Sequence, residues 1–252
     1  MSTIQADVVA EGRRLLGVAA EQGVPLRVLG GVAVCLRAPD GLNPAFERSY
    51  QDLDFVTAKK AGGSVEQLLR SEGYEPHVAF NALHGGERLL FFDDPNERQV
   101  DVFIGAFSMS HRIPIGERLE RDQLSVPLAE LLLTKLQIAQ LNQKDVCDAL
   151  AILDTHEVGS DDGETVNGDR IAELCAADWG LWRTITGNMT TVGEHIERYG
   201  LEGEAKERVK TRIDAVLERI EDEPKSRAWR LRAKIGERKR WYELPEEVGG
   251  GP

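Results

Sequence analysis

At 252 residues, 41% hydrophobic and 29% charged, the chain is long enough for one large domain or two modest ones and for a real buried core. No apolar run approaches the ~20 residues that cross a bilayer, and the opening MSTIQADVVAEGRR lacks the apolar stretch of a secretory signal. Cys35, Cys147 and Cys175 form no CxxC pair, which argues against a disulfide framework or a zinc site and predicts buried, reduced thiols in a cytoplasmic protein.

The elements follow in chain order. Apolar residues at helical spacing predict a helix over 6–23, closed by Gly23. PLRVL (25–29) predicts a short strand, and GGVAVCLR (30–37) a buried helix opened by two glycines. After the loop DGLNPAFERS, the segment DLDFVT (52–57) predicts a strand and SVEQLLRSEG (64–73) a helix. EPHVAF (75–80), ERLLFF (87–92) and RQVDVFIG (98–105) alternate or run apolar and predict three strands of one sheet, with DDPNE (93–97) as a turn. Near Leu124 the pattern turns helical. VPLAELLLTKLQIAQLNQKDVCDALAILDTHE is followed by an acidic polar loop at 157–169 and by helices near 168–177, 178–199, 203–222 and 225–239. The expectation is an α+β chain: a mixed sheet with flanking helices over 1–125, a helical subdomain over 126–243 and a disordered tail over 244–252.

The net charge of −12 speaks against nucleic acid until its distribution is considered. Residues 225–240 hold eight basic side chains and one acid, a net +7 that leaves −19 for the rest of the chain. Such a segment suits phosphate contacts, and it is equally an ordinary solvated helix face. Trp229 and Trp241 lie near it and would stack on bases, although all four tryptophans are first of all candidates for packing. The five histidines show no metal spacing.

Chemistry enters with YQDLDFV (50–56). Asp52 and Asp54 alternate with apolar residues, so they share one face of the strand, about 7 Å apart. That is close enough to share Mg2+, which takes a few carboxylates together with waters and phosphate oxygens. Asp101, flanked by Val100 and Val102, is a third carboxylate in an apolar strand. If its strand lies beside 52–57, the three converge, and such clustered charge is costly without a cation. Gly30 and Gly31 follow a strand and open a helix, where glycine lets a phosphate approach backbone N–H groups. Lys135 sits among leucines and is either snorkelling or aimed at an anion. Asp145 and Asp148 share a helix face, and Lys144 is placed to pair with Asp148.

Taken together, VLGGVAVCL, an Arg-Ser shortly before D-x-D, and ELLLTKLQIAQLNQKDVCDALAIL resemble the AbiEii-type nucleotidyltransferases of the DNA polymerase β-like superfamily, over roughly residues 27–154. These are toxins of toxin–antitoxin and abortive-infection systems, with relatives that modify tRNA. The resemblance implies a nucleotidyltransferase domain over 1–125. It implies that Asp52 and Asp54 bind Mg2+ and the triphosphate, that Lys135 neutralises phosphate charge, and that Asp148 completes the site by orienting Lys135 or the acceptor hydroxyl; the residues themselves add Asp101 as a third metal carboxylate and Gly30, Gly31 and Arg48 as contacts for the NTP. It also implies transfer of an NMP to an acceptor hydroxyl, with the 3′ end of tRNA as the expected acceptor and a cognate antitoxin as a protein partner; the basic segment 225–240, outside the resembling residues, is expected on its charge to hold the tRNA. The separation from Gly31 to Asp52 is longer than in minimal members of the superfamily. Two rivals stand beside this: the same chemistry on a cationic small molecule or a protein side chain, and a non-catalytic binding protein of the same fold.

Overall fold

The computed structural model describes residues 4–244, so most of the tail expected to be disordered lies outside the described residues. The chain divides into two compact units. One comprises the residues up to Phe107 with Ile113–Leu131, the other Ser108–Arg112 with the residues from Leu132 onward.

The first unit begins with α1 (Val8–Glu21), β1 (Leu26–Leu29), α2 (Gly30–Leu36), β2 (Leu53–Thr57) and α3 (Gly62–Ser71). Then come β3 (Glu75–Pro76), α4 (Val78–His84), β4 (Arg88–Asp93) and β5 (Arg98–Ile104). Asp7 starts α1 by accepting a hydrogen bond from the Ala10 amide at 2.7 Å. The strands form one five-stranded sheet in the order β1-β2-β5-β4-β3. Only β2 and β5 run parallel; β1–β2, β4–β5 and β3–β4 are antiparallel, so the sheet is mixed. The central position of β5 explains why all its residues but Gln99 are buried. Leu53, Phe55, Phe91, Val100 and Val102 are all fully buried in this sheet.

One expectation is corrected here. Of residues 75–80 only Glu75–Pro76 form a strand, paired with β4, and Val78–His84 is the helix α4. His77 caps the helix, its Nδ1 accepting from the Phe80 amide at 3.2 Å. Asn81 then clasps β4, its Oδ1 accepting from Leu90 N at 2.7 Å and its Nδ2 donating to Leu90 O at 3.1 Å. The alternation of EPHVAF mimicked a strand, but Val78 is 70% exposed and serves no core.

A two-stranded ribbon, β6 (Ala106–Ser108) and β7 (Arg112–Pro114), follows, and α5 (Leu128–Leu136) carries the chain from the first unit into the second. The second unit contains α6 (Gln143–Thr155), α7 (Gly168–Ala177), α8 (Trp179–His195), α9 (Gly203–Asp222) and α10 (Arg227–Ile235). Its helices start where the sequence offers capping side chains: Asn142, Asn167, Asp178 and Ser226 each accept from an amide in the first turn. Val209, Ile213, Val216 and Ile220 form the buried stripe of α9 at the spacing of a helix with one apolar face. The acidic loop at 157–169 departs from expectation in one detail, since it pairs β8 (Val158–Gly159) with β9 (Val166–Asn167) in a short parallel ladder.

All three cysteines are free thiols; Cys147 and Cys175 are buried and Cys35 is half-buried. The tryptophans pack against one another, Trp179 with Trp182 and Trp241, and Trp182 with Trp229. Among the described residues no helix is long and apolar enough to cross a membrane.

Candidate active site

The D-x-D segment lies where β1, β2 and β5 meet. Asp52 is exposed and immediately precedes β2; Asp54 is the second residue of β2 and half-buried. Pairing sets Asp54 opposite Leu29 on one side and opposite Asp101 on the other. Residues in register on parallel neighbours point to the same face, so Asp54 and Asp101 are side by side. The convergence that the sequence left conditional on strand adjacency therefore has its backbone basis.

The glycine pair closes against these carboxylates. Gly30 has φ +73°, a conformation that L side chains rarely adopt, and a Cβ there would collide with Oδ2 of Asp54. A Cβ on Gly31 would collide with a terminal nitrogen of Arg48 and lie 2.8 Å from the ring of Tyr50. The Arg48 guanidinium carbon stands 4.5 Å from the centroid of that ring. Two glycines thus make room for one anionic and one cationic side chain on adjacent residues. Helix α2 is only seven residues long, so the turn offers the close approach of Asp54 and Arg48 and no appreciable helix dipole.

Asp101 is 4% exposed on the central strand. Its Oδ1 accepts from Arg88 Nε at 2.6 Å, and its Oδ2 accepts from Gln99 Nε2 at 2.6 Å. The buried charge thus has a protein cation beside it, as burial demands. Sequence reading missed both partners. Gln99 was visible in principle, being two residues from Asp101 on the same strand face. Arg88 required the register of the β4–β5 hairpin, which sets Leu90 opposite Asp101 and Arg88 one pair further along.

Arg48, Ser49, Tyr50 and Gln51 also line a cavity of about 390 Å3, closed on its other sides by the first turn of α1 and by Asn96–Arg98.

Lys135, on α5, and Asp148, on α6, belong to the second unit and form an ion pair at 2.8 Å, with Asp145 3.8 Å from the same ammonium. Both members are almost buried. The bland reading of Asp148 as a surface partner of Lys144 is replaced by a near-buried pair between two helices.

The donor set can be tested against Mg2+. Asp52, exposed, and Asp54, half-buried, are two carboxylates two residues apart, which suits an ion that keeps waters and binds phosphate oxygens. Among the described residues there is no group of three or more His, Cys, Asp or Glu arranged to hold a metal ion. Both oxygens of Asp101 are engaged, so the carboxylates fit an ion completed by phosphate, not a closed protein cage.

No family model and no curated protein matches the chain. Among solved structures it is similar to an antigenic nucleotidyltransferase-like protein from Paracoccidioides brasiliensis, with a TM-score of 0.41 and 12% identity over 90% of this chain and 97% of that one. A likeness this loose carries no argument, and the functional reading rests on the residues.

Proposed function

We propose that the chain is a Mg2+-dependent nucleotidyltransferase. The observation that carries this reading is the assembly of Asp54 against Gly30, Arg48 against Gly31, and Asp101 in register beside Asp54. An acceptor hydroxyl oxygen attacks the α-phosphorus of an NTP, the bond to the bridging β-phosphate oxygen breaks, and pyrophosphate leaves. The acceptor's proton passes to water. Gly30 and Gly31, which let Asp54 and Arg48 pack against the turn, are assigned to the triphosphate through the resemblance to AbiEii-type enzymes, and Arg48 offsets its charge. Asp52, Asp54 and Asp101 would hold Mg2+, which when bound neutralises charge on the phosphoryl oxygens; the protein's share of the work is positioning and electrostatics. Lys135, with Asp148 holding its ammonium, is assigned to phosphate charge through the resemblance to AbiEii-type enzymes.

The acceptor favoured is the 3′ end of tRNA. Helix α10 buries none of its residues and exposes Arg227, Arg230 and Lys234, with Arg238, Lys239 and Arg240 exposed after it. A strip of this charge on an otherwise acidic protein fits a phosphate backbone. By the same resemblance the biological role is that of a growth-inhibiting toxin countered by an antitoxin protein. A cationic small molecule is the second reading, favoured by the −19 carried outside that strip.

Calorimetric titration with each NTP and Mg2+ tests the nucleotide half of the proposal. Binding by the unaltered chain that is lost in Asp54→Ala is expected; NTP binding that survives Asp54→Ala contradicts the assigned site.

A further inference from the structure

We propose that Arg88 is a resident counter-cation of Asp101 which a divalent ion has to displace, so that Arg88 sets the metal affinity of the site. This rests on the nucleotidyltransferase reading above and adds a positioning residue that the motifs do not contain.

Asp101 sits on the middle strand, 4% exposed and beside a second carboxylate, where an uncompensated charge is strongly disfavoured. Arg88 removes that cost before any metal arrives. Its hold is nevertheless a single hydrogen bond, from Nε to Oδ1 at 2.6 Å, and not the two-point fork that arginine makes with carboxylates elsewhere. The Arg88 side chain keeps 19% of its surface exposed, whereas that of Asp101 keeps 5%. The guanidinium carbon lies 5.1 Å from the ring centroid of Phe103 and 5.7 Å from that of Phe80 on α4. These two rings give the cation a favourable surface on which to rest when it leaves the carboxylate. A dication at Asp54 would repel the guanidinium and compete with it for Oδ1, while Gln99 keeps the carboxylate oriented through Oδ2. Two cations sharing one buried carboxylate must then exclude one another: metal binding and release of Arg88 are a single coupled event.

The test uses Mn2+ as probe, its binding to the full chain measured by electron paramagnetic resonance. Arg88→Gln is expected to bind Mn2+ roughly tenfold more tightly than the unaltered chain, a coupling of ordinary size. The same change in an Asp101→Asn background is expected to have no effect, and Arg88→Lys to keep the affinity of the unaltered chain. A merely structural role predicts the opposite sign, because losing Arg88 would loosen the strand pair and weaken binding. Mn2+ binding that depends on Asp54 but is unchanged or weakened in Arg88→Gln overturns the proposal and leaves the nucleotidyltransferase reading intact. Absence of Mn2+ binding in the unaltered chain and in Arg88→Gln alike overturns both. Should Arg88→Gln fail to fold, the unaltered chain decides by nuclear magnetic resonance. The Arg88 Nε–H signal is expected to shift as Mg2+ is added, and a signal unmoved by saturating Mg2+ refutes the displacement.

Discussion

Gly30 is the residue on which the site's geometry turns. Its left-handed backbone and the carboxylate of Asp54 against its Cα leave no place for a side chain. Gly30→Ala is therefore expected to lose about 1–3 kcal/mol of stability, the usual cost of a side chain held in a disfavoured conformation, and to displace Asp54. Gly31→Ala meets only the far end of Arg48 and the Tyr50 ring, which can give way, so it should cost less. Urea unfolding of the two variants checks the order; equal stabilities would contradict it. Glu11 supports a second prediction. It is fully buried, and burial pushes its carboxyl up, but hydrogen bonds from Arg14, Tyr74 and the Gln5 amide outweigh that and hold it below its ordinary value. A depressed carboxyl contributes stability that is present above the unfolded value and lost as pH falls through the folded one. The stability difference between the unaltered chain and Glu11→Gln should thus be constant from neutral pH down to about pH 4.5 and shrink below it. A difference independent of pH down to pH 3 would count against it. At this scale the sequence made Asp52, Asp54 and the glycines legible, because alternation and a glycine pair are local signals. Arg88 was not legible, because it meets Asp101 only through a register set by the whole hairpin.

Elements were legible wherever periodicity and caps agreed. The expected starts near 168, 178 and 225 fall at capped helices, whose caps Asn167, Asp178 and Ser226 the sequence reading did not single out. Where they disagreed, local chemistry won. In residues 75–80 a strand-like alternation lost to the cap at His77 and to the Asn81 clasp on Leu90, which only a partner strand can supply. The ladder between β8 and β9 was hidden in a polar loop because two-residue strands have no periodicity to detect. Helices α5 and α6 carry the prediction for this scale. Lys135 and Asp148 keep only 11% and 2% of their side chains exposed. Removing the cation from such a pair is costly, so Lys135→Met should destabilise the protein by roughly 3 kcal/mol, while Lys135→Arg keeps most of the stability. Thermal unfolding of both variants measures it, and an unchanged midpoint for Lys135→Met would show the pair to be energetically idle.

Charge is the property that only the whole molecule shows. Outside the +7 strip the chain carries a net −19, so the strip is the segment whose charge most favours a long polyanion. Shortening the chain would be a poor probe of it, because Trp229 packs on Trp182 and Arg232 stands 4.6 Å from the ring of Trp179. Reversing the exposed charges with Arg230→Glu, Lys234→Glu and Arg238→Glu leaves those contacts in place. Transfer to tRNA should then fall at least tenfold and lose most of its salt dependence, as expected when phosphate contacts are removed; transfer to a small cationic acceptor should not fall. The most direct measurement is incubation of the purified protein with each α-32P-labelled NTP, Mg2+ and total tRNA, beside an Asp54→Ala control that melts at the same temperature. Nucleotidyl transfer to tRNA predicts label with the unaltered chain and none with the control. Equal labelling by both proteins, or label in no acceptor together with no binding of any NTP, would contradict it.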